Sequence, residues 1–361
     1  MTTSYNLEKF RVVRLNATLF PVSEHEVELY QKYGLNVIQI EVNTAEEIIP
    51  HVTDCDALFV VSTALPTEVI ESLSRCRVIS RLGTGTDKID VATATRKGIV
   101  VTNVPYFCIE EQADHTMALL LAVARQLPRM GKAMIEGAWS SARHQANTNR
   151  RLSTRTLGLV GFGGSARGTA RRAGGFGMRI LATRRHMNAS QDEAINLGVE
   201  MVSLDTLLVE SDYVSLHLPL NAETYHLFNE AALRKMKPGA ILINTSRGAL
   251  VDEMALVAAL REGRLAGAGI DTFEQIDVFT KEESAPDHPL LTLDNVVYTP
   301  HVAALSVESK RDNSQGSIEN LVAILSGRWP DPQNMVNQGV ISRFPLKDYD
   351  EGKIKNENYP H

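Results

Sequence analysis

The sequence contains few cysteines, and their arrangement argues against two common ways of stabilising a fold. Only three occur in 361 residues, Cys55, Cys76 and Cys108, and no two of them form a Cys-x-x-Cys pair. An odd number in separate contexts favours neither a disulfide framework nor a structural zinc site, so no metal is expected. Because this usage fits a reducing compartment, and because the first ten residues lack the apolar core of a signal peptide, we expect a cytoplasmic protein.

Long apolar runs and blocks of positive charge are missing as well. The longest apolar run, residues 117–124, is far shorter than the roughly 20 residues that span a bilayer. The net charge is −6, from 37 basic and 43 acidic side chains, and the basic residues are dispersed. We therefore expect neither a membrane partner nor a nucleic-acid partner.

The chain is long enough for two domains, and its pattern alternates short apolar runs with amphipathic segments. In the first hundred residues, the pattern predicts strands at 11–15, 36–40, 57–61, 78–80 and 99–102, with helices at 23–32, 45–52 and 67–73. A second series predicts strands at 156–160, 179–183, 212–216, 240–244, 265–270 and 295–299. Strand–helix alternation of this kind predicts an α/β protein with doubly wound parallel sheets.

Two long helical patterns mark the crossings between the predicted domains. One runs from 110 to about 129 and is apolar on almost every side, and the other runs from about 306 to 326. We therefore predict a split first domain at 1–115 and 303–345 and a second domain at 116–302. The polar segment 346–361 is predicted to be a weakly ordered tail.

A glycine-rich turn follows the first strand of the second series. Residues 161–166 read Gly-x-Gly-x-x-Ala, between a predicted strand and a predicted helix. Gly161 permits a tight turn, Gly163 lets the backbone approach a pyrophosphate, and the small Ala166 allows the helix to pack closely on the strand. The helix N-terminus offers N–H groups to the phosphates, so the turn predicts a dinucleotide site.

The end of the next strand bears on the choice between NAD and NADP. An NAD site usually carries an acidic residue there, about 20 residues beyond the glycines, to bind the ribose hydroxyls. This chain has Thr183, Arg184 and Arg185 instead. Two guanidinium groups suit the 2′-phosphate of NADP. We predict a preference for NADPH, with NAD as the other possible cofactor.

Three charged or polar residues follow later strands of the same series. Arg247 follows 240–244, Asp271 follows 265–270, and His301 follows 295–299, where ligands collect in open α/β sheets. Reduction of a 2-keto acid requires a cation for the carboxylate and a proton donor for the forming alkoxide. Arginine can bind a carboxylate through two parallel bonds, and histidine exchanges protons near neutral pH.

These segments together resemble the D-isomer-specific 2-hydroxyacid dehydrogenase family, which includes phosphoglycerate dehydrogenases, glyoxylate/hydroxypyruvate reductases and the C-terminal-binding corepressors. The resemblance covers about residues 50 to 325. Besides the glycine turn, it rests on the segments 81–90, 98–105, 113–116, 217–220, 244–251, 267–271 and 299–301. It implies a Rossmann-type dinucleotide domain inserted in a flavodoxin-like substrate domain, and a homodimer formed through the dinucleotide domain.

The resemblance also implies roles for particular residues. Arg247 would orient a small 2-keto acid substrate, His301 would be the acid/base, and the N–H groups of Thr84 and Gly85 would bind the substrate carboxylate. Residues that would line the cofactor are Thr84, Gly161, Gly163, Gly164, Ser165, Leu218, Thr245 and Asp271.

One position departs from the family pattern. Family members carry a glutamate five residues after the position of Asp271, to pair with the histidine, and this chain has Ile276 there. Asp277 is our candidate for the missing carboxylate, and Glu274 is the alternative.

The displaced carboxylate keeps a second class of function open, an NAD(P)-sensing protein with little turnover like the corepressor branch. Residues 103–105 and 110–114 also resemble that branch. A phosphite- or formate-type dehydrogenase on the same scaffold is a third alternative.

Overall fold

The computed structural model describes residues 7–16, 20–186, 190–279 and 284–349. The chain divides into two units, one made of Met1–Phe107 with Val307–His361 and one made of Cys108–Ser306. Sequence analysis placed the two boundaries at 115/116 and 302/303. The first falls inside the uninterrupted helix Ile109–Ala124, all of which belongs to the second unit.

The first unit begins, in the residues that the structure describes, with five parallel strands and four helices. The strands are β1 Val12–Leu15, β2 Val37–Ile40, β3 Ala57–Val60, β4 Val78–Arg81 and β5 Val100–Thr102, in the spatial order β2-β1-β3-β4-β5. The helices are α1 Glu24–Tyr33, α2 Ala45–Val52, α3 Thr67–Ser72 and α4 Val91–Arg96. This strand order is the flavodoxin-like one, as predicted.

Alternate residues of these strands build two separate cores, because successive side chains of a strand point to opposite faces. On one face, Val12, Phe59 and Val78 belong to a buried cluster with residues of α1. On the other face, Val13 and Leu58 pack with residues of α2 and α3. Both faces are covered, which is why the strands read as nearly continuous apolar runs.

In the described part of the second unit, seven parallel strands form one sheet. They are β6 Thr156–Val160, β7 Arg179–Thr183, β8 Val199–Met201, β9 Tyr213–Leu216, β10 Ala240–Asn244, β11 Leu265–Ile270 and β12 Val296–Tyr298. The spatial order is β12-β11-β10-β9-β6-β7-β8. Six of these strands follow the dinucleotide-binding order, with β12 added beside β11. Strand β8 was not predicted from the sequence.

Eight helices accompany this sheet in the described part of the unit. They are α5 Ile109–Ala124, α6 Leu127–Ile135, α7 Trp139–Ala146, α8 Gly164–Gly175, α9 Asp192–Asn196, α10 Leu204–Glu210, α11 Glu230–Lys235 and α12 Glu253–Arg261. The single helix predicted from 110 to about 129 is wrong at its end. The chain breaks at Gln126, whose φ is +55°, and α6 starts after it.

The chain then returns to the first unit as α13, Val307–Leu325. Ile318 and Leu321 of this helix enter the same buried cluster as α1. In the described part of the predicted tail, Lys347 forms backbone bonds of 2.9 Å with Gly327 and Trp329. The weak order of the tail stays a prediction. Residues 350–361 lie outside the described part of the chain.

Within the ranges that are described, no helix has the length and apolar character needed to cross a bilayer.

Candidate active site

The glycine turn joins β6 to α8 at the carboxyl edge of the second sheet. Gly161 has φ +99°, and a Cβ on it would lie 2.3 Å from the carbonyl oxygen of His217. Only glycine fits there. At Gly163, in contrast, an added Cβ would meet no atom within 4 Å. The turn therefore has open space at Gly163, where a pyrophosphate needs close access to the backbone.

The first turn of α8 is suited to anion binding. Gly163 is its N-cap residue, no side chain among the described residues caps the helix, and its first turn contains no acidic residue. N–H groups at such an end are left for a ligand or water. Gly164 is in contact with α5, since a Cβ added to it would lie 2.6 Å from Cδ1 of Ile109. The described residues thus fit a bound dinucleotide.

His217 ties this helix to the neighbouring strand β9. Its Nδ1 lies 3.1 Å from the hydroxyl of Ser165 and its Nε2 lies 2.9 Å from that of Ser215. Burial lowers the pKa of His217 to about 4, so the ring is neutral near pH 7 and uses one nitrogen as donor and the other as acceptor. Leu218, the next residue, packs against the apolar core.

The two arginines predicted to read the cofactor follow β7. The residue before them, Thr183, accepts a 3.0 Å bond from the N–H of Gly161, which sets the arginines beside the glycine turn. Arg184 donates to the carbonyl of Ser190 at 2.6 Å. Arg185 is exposed and forms an ion pair of 2.8 Å with Glu223.

The segment after β10 holds Arg247 and Thr245. The amide of Asn244 donates to the carbonyl of Arg247 at 2.8 Å, and the guanidinium of Arg247 donates to the carbonyl of Ser246 at 2.7 Å. Helix α5 fixes Thr245 from the other side, through the amide of Gln112 at 2.9 Å and the hydroxyl of Thr116 at 2.9 Å.

Gly248 lets the segment after β11 lie directly on the segment after β10. A Cβ on Gly248 would lie 2.0 Å from the carbonyl carbon of Phe273. The buried carboxylate of Glu253 secures the same contact by accepting a 2.8 Å bond from the N–H of Glu274. His288 lies 3.0 Å from Glu253 on its other side. Sequence analysis identified neither Glu253 nor His288.

Asp271 organises the turn that carries His301. Its side chain is fully buried and accepts bonds from the hydroxyl of Thr299 at 2.6 Å and from the N–H groups of Val302 at 2.9 Å and Ala303 at 3.0 Å. Its carbonyl accepts the N–H of His301 at 2.8 Å. The cofactor contact predicted for Asp271 would have to coexist with these internal bonds.

His301 adopts the left-handed conformation, with φ +57°. Its ring contacts that of Phe279, with 5.1 Å between the ring centroids and 57° between the planes. Arg247 and His301 follow β10 and β12, and these two strands flank β11, which leads into Asp271. Because all the strands are parallel, the sheet brings these three predicted residues and the glycine turn to the same edge.

The two candidate carboxylates have different surroundings. Glu274 is half-buried and lies 2.8 Å from Nε2 of His226, a histidine that sequence analysis did not consider. Asp277 is exposed and accepts a 2.9 Å bond from the N–H of Phe279, the residue whose ring contacts His301.

Thr84 and Gly85 belong to the first unit, in the loop directly after β4. The hydroxyl of Thr84 donates to the carbonyl of Val104 at 3.3 Å, and the amide of Asn103 donates to the carbonyl of Thr84 at 2.7 Å. The loop thus lies at the carboxyl edge of its own parallel sheet.

Comparison with known proteins agrees with this geometry. The family described as "D-isomer specific 2-hydroxyacid dehydrogenase, NAD binding domain" matches residues 117–303. The glyoxylate reductase of Korarchaeum cryptofilum is 46% identical over 303 residues, 82% of this chain and 87% of that protein.

Two solved structures show the same fold together with a nicotinamide cofactor. An NADPH-dependent glyoxylate/hydroxypyruvate reductase from Sinorhizobium meliloti, in complex with NADP and malonate, is 30% identical with a TM-score of 0.77 over 94% of this chain and 100% of its own. D-lactate dehydrogenase from Aquifex aeolicus, complexed with NAD and lactic acid, is 28% identical with a TM-score of 0.79 over 90% of this chain and 99% of its own.

These relatives are named as reductases and dehydrogenases, and they do not favour the alternative of a sensor with little turnover. With a nicotinamide site of the Rossmann type and relatives of this kind, the chain belongs to the D-isomer-specific 2-hydroxyacid dehydrogenase family and is an NAD(P)-dependent 2-hydroxyacid dehydrogenase.

Proposed function

We propose that this enzyme reduces a small 2-keto acid with NADPH, using Arg247 to bind the substrate carboxylate and His301 as the proton donor. The observation that carries the proposal is the common sheet edge at which the glycine turn, Arg247, Asp271 and His301 lie. NADPH, when bound, supplies the hydride for C2 of the substrate. The guanidinium neutralises the carboxylate, and the imidazolium gives its proton to the oxygen that becomes the hydroxyl.

Single substitutions test these two roles. We expect His301→Asn to lower kcat by about a hundredfold or more, because proton transfer by a positioned side chain contributes about that much. Arg247→Lys should raise KM for the keto acid, since an ammonium cannot form the bidentate contact. His226→Asn is a matched control for loss of an imidazole. Wild-type kcat in His301→Asn, across a panel of glyoxylate, hydroxypyruvate and pyruvate, would contradict the assignment.

We assign the carboxylate that supports His301 to Asp277. Asp277 fixes the backbone of Phe279, whose ring packs on His301, whereas Glu274 is engaged by His226. Asp277→Asn should therefore lower kcat and Glu274→Gln should leave it close to that of the wild type. The reverse result, with full kcat in Asp277→Asn and loss in Glu274→Gln, would transfer the role to Glu274.

The preference for NADPH is assigned to Arg184 and Arg185. A 2′-phosphate beside the end of β7 would meet two guanidinium groups, and the ribose hydroxyls of NADH would meet no carboxylate at those positions. We expect the double substitution of both arginines by serine to lower the ratio of kcat/KM for NADPH over NADH by about ten- to hundredfold. Arg234→Ser, which removes an exposed arginine of α11, is the control. A wild-type enzyme that prefers NADH would refute this assignment.

We also propose that the second unit forms a homodimer through the surface of α6 and α7. Helix α6 has no buried residue, and Leu127, Met134, Ile135 and Trp139 expose apolar surface on this helix pair. Helices α6 and α7 are neighbours, exposed apolar surface can mark an interface, and most oligomers are symmetric dimers.

Ile135 is 89% exposed, and Ile135→Asp should convert a dimer to a monomer in light scattering coupled to size exclusion. Val307→Asp, at a residue of the first unit that is 82% exposed, should leave the mass unchanged. A wild-type protein with the mass of a monomer would contradict the proposal. The cytoplasmic location expected from the cysteine usage stays a prediction.

A further inference from the structure

The loop of residues 82–85 has every one of its carbonyl groups turned toward the protein. The guanidinium of Arg81 donates to both ends of the loop, from Nη1 to the carbonyl of Leu82 and from Nε to that of Gly85 at 2.9 Å. Between them, the carbonyl of Gly83 accepts the N–H of Val104 at 3.1 Å. The fourth carbonyl, that of Thr84, accepts from the side chain of Asn103 at 2.7 Å.

Two N–H groups of this loop are left without an acceptor. Across the described residues, the N–H groups of Thr84 and Gly85 donate to no other group. The cause is the planar peptide bond, in which the carbonyl of one residue and the N–H of the next point in opposite directions. A Gly83 carbonyl held inward turns the N–H of Thr84 outward, and a Thr84 carbonyl held inward does the same to Gly85.

The packing of the loop against Arg81 and Asn103 leaves no room for another backbone conformation. Gly83 has φ +133°, and a Cβ added to it would lie 2.3 Å from Nη1 of Arg81. Asn103 is itself fixed, because its N–H donates to the carbonyl of Asn334 at 2.9 Å and its carbonyl accepts from the side chain of Asn320 at 3.0 Å. The donors that hold the loop are therefore held in turn by the packed part of the unit.

We propose that Asn103 and Arg81 are positioning residues for substrate binding: they hold the carbonyls of residues 82–85 inward so that the N–H groups of Thr84 and Gly85 bind the carboxylate of the keto acid. Successive N–H groups that point the same way form an anion-binding nest. The inference rests on the proposed function for the identity of the anion. In this assignment, their effect passes through the orientation of two peptide planes.

Substitutions that remove the donor without adding charge test the inference. Asn103→Leu keeps the approximate size of the side chain and loses the bond to Thr84. We expect KM for the keto acid to rise about ten- to hundredfold, the cost of weakening a hydrogen bond to a charged group, while kcat falls much less and the Kd of NADPH is unchanged. Arg81→Lys keeps the positive charge and loses the fork that spans the loop, so KM should rise in the same way. Asn229→Leu, which removes the side-chain cap of α11, controls for general destabilisation.

A measurement without turnover separates this inference from the proposed function. In ¹⁵N-labelled wild-type enzyme with NADPH, titration with oxalate should shift the amide resonances of Thr84 and Gly85, and Asn103→Leu should weaken oxalate binding about tenfold or more. If oxalate shifts the amide resonances of Thr84 and Gly85 but the protein reduces no keto acid, the proposed function is refuted and the anion site is supported. Turnover of keto acids with unshifted Thr84 and Gly85 amides, or with an unchanged KM in Asn103→Leu, would overturn the inference and leave the function.

Discussion

The hydroxyl of Thr299 donates a 2.6 Å hydrogen bond to the buried carboxylate of Asp271. A hydroxyl has one hydrogen, so its oxygen must accept from Nε2 of His115, which lies 2.9 Å away. The ring of His115 therefore carries a proton on Nε2. Thr299 thus links α5 to the turn of His301 through a chain of three side chains.

Removal of this hydroxyl should harm both stability and catalysis. Thr299→Val keeps the shape of the side chain but leaves Asp271 and His115 each short of a partner, and we expect the free energy of unfolding to fall by about 1 to 3 kcal/mol. A drop in kcat should accompany it, because the turn of His301 depends on Asp271. Thr299→Ser restores the hydroxyl and should recover both quantities, measured by urea denaturation and steady-state kinetics. Equal kcat in the valine and serine variants would contradict the link to His301.

Substitution of the two glycines of the turn after β6 by alanine should affect different properties, stability at Gly161 and cofactor binding at Gly163. Gly161→Ala places a Cβ against the carbonyl of His217 at a positive φ, and we expect a loss of about 2 kcal/mol or more in the free energy of unfolding. Gly163→Ala meets open space, so the stability of the apoprotein should change little. Its Kd for NADPH should rise about tenfold or more, because the methyl group occupies the approach of the pyrophosphate. Unchanged NADPH binding in Gly163→Ala would place the phosphates elsewhere.

His217 should contribute to the loss of stability in acid. Its pKa is about 4 in the folded protein and about 6.5 when unfolded. Between these values the unfolded chain binds more protons, so the free energy of unfolding falls as the pH falls through this window.

His217→Gln keeps a donor and an acceptor but cannot titrate, so its stability should decline less than that of the wild type between about pH 7 and pH 5. Urea denaturation at both pH values measures this, with His144→Gln, at an exposed residue of α7, as control. Parallel declines in the wild type and His217→Gln would refute the assignment.

Gly248 should tolerate no side chain. Its Cβ would overlap the backbone of Phe273 and Glu274, and displacement of that segment would break the bond from Glu274 to Glu253. We expect Gly248→Ala to cost about 2 to 3 kcal/mol in the free energy of unfolding and to raise KM through Arg247. Gly263→Ala, where a Cβ meets open space but φ is +70°, gives the cost of backbone strain without overlap for comparison. An unchanged free energy of unfolding in Gly248→Ala would contradict the steric overlap.

The fold could be predicted well from the sequence because the patterns that specify it lie within short stretches of consecutive residues. The order strand, Gly161, Gly163 and helix lies within about 20 consecutive residues, and parallel strands buried on both faces read as plain apolar runs. Two features could not be predicted. Strand β8 has only three residues and no clear apolar run. The break before α6 depends on the left-handed conformation of Gln126, which the residue type does not indicate.

Pairings between distant residues could not be predicted. His226 and Glu274 are separated by 48 positions, yet their side chains are in contact. This contact is the reason for choosing Asp277 over Glu274 as the carboxylate that supports His301. Cys55 and Cys76 show no relation in the sequence, but their thiols meet in the core, where the hydrogen bond that Cys55 forms with Cys76 and burial raise the pKa of Cys55. Such contacts arise only when the sheet brings separate segments together, and no period or motif in the chain encodes them.

The inward carbonyls of the 82–85 loop also bear on how the enzyme responds to its surroundings. Main-chain amides have no ionisable proton in the neutral range and carry no net charge. Their affinity for an anion should therefore be the same in mildly acidic and in mildly alkaline solution. If these amides bind the substrate carboxylate as proposed, a bell-shaped rate profile would report on side chains such as His301 and not on the loop.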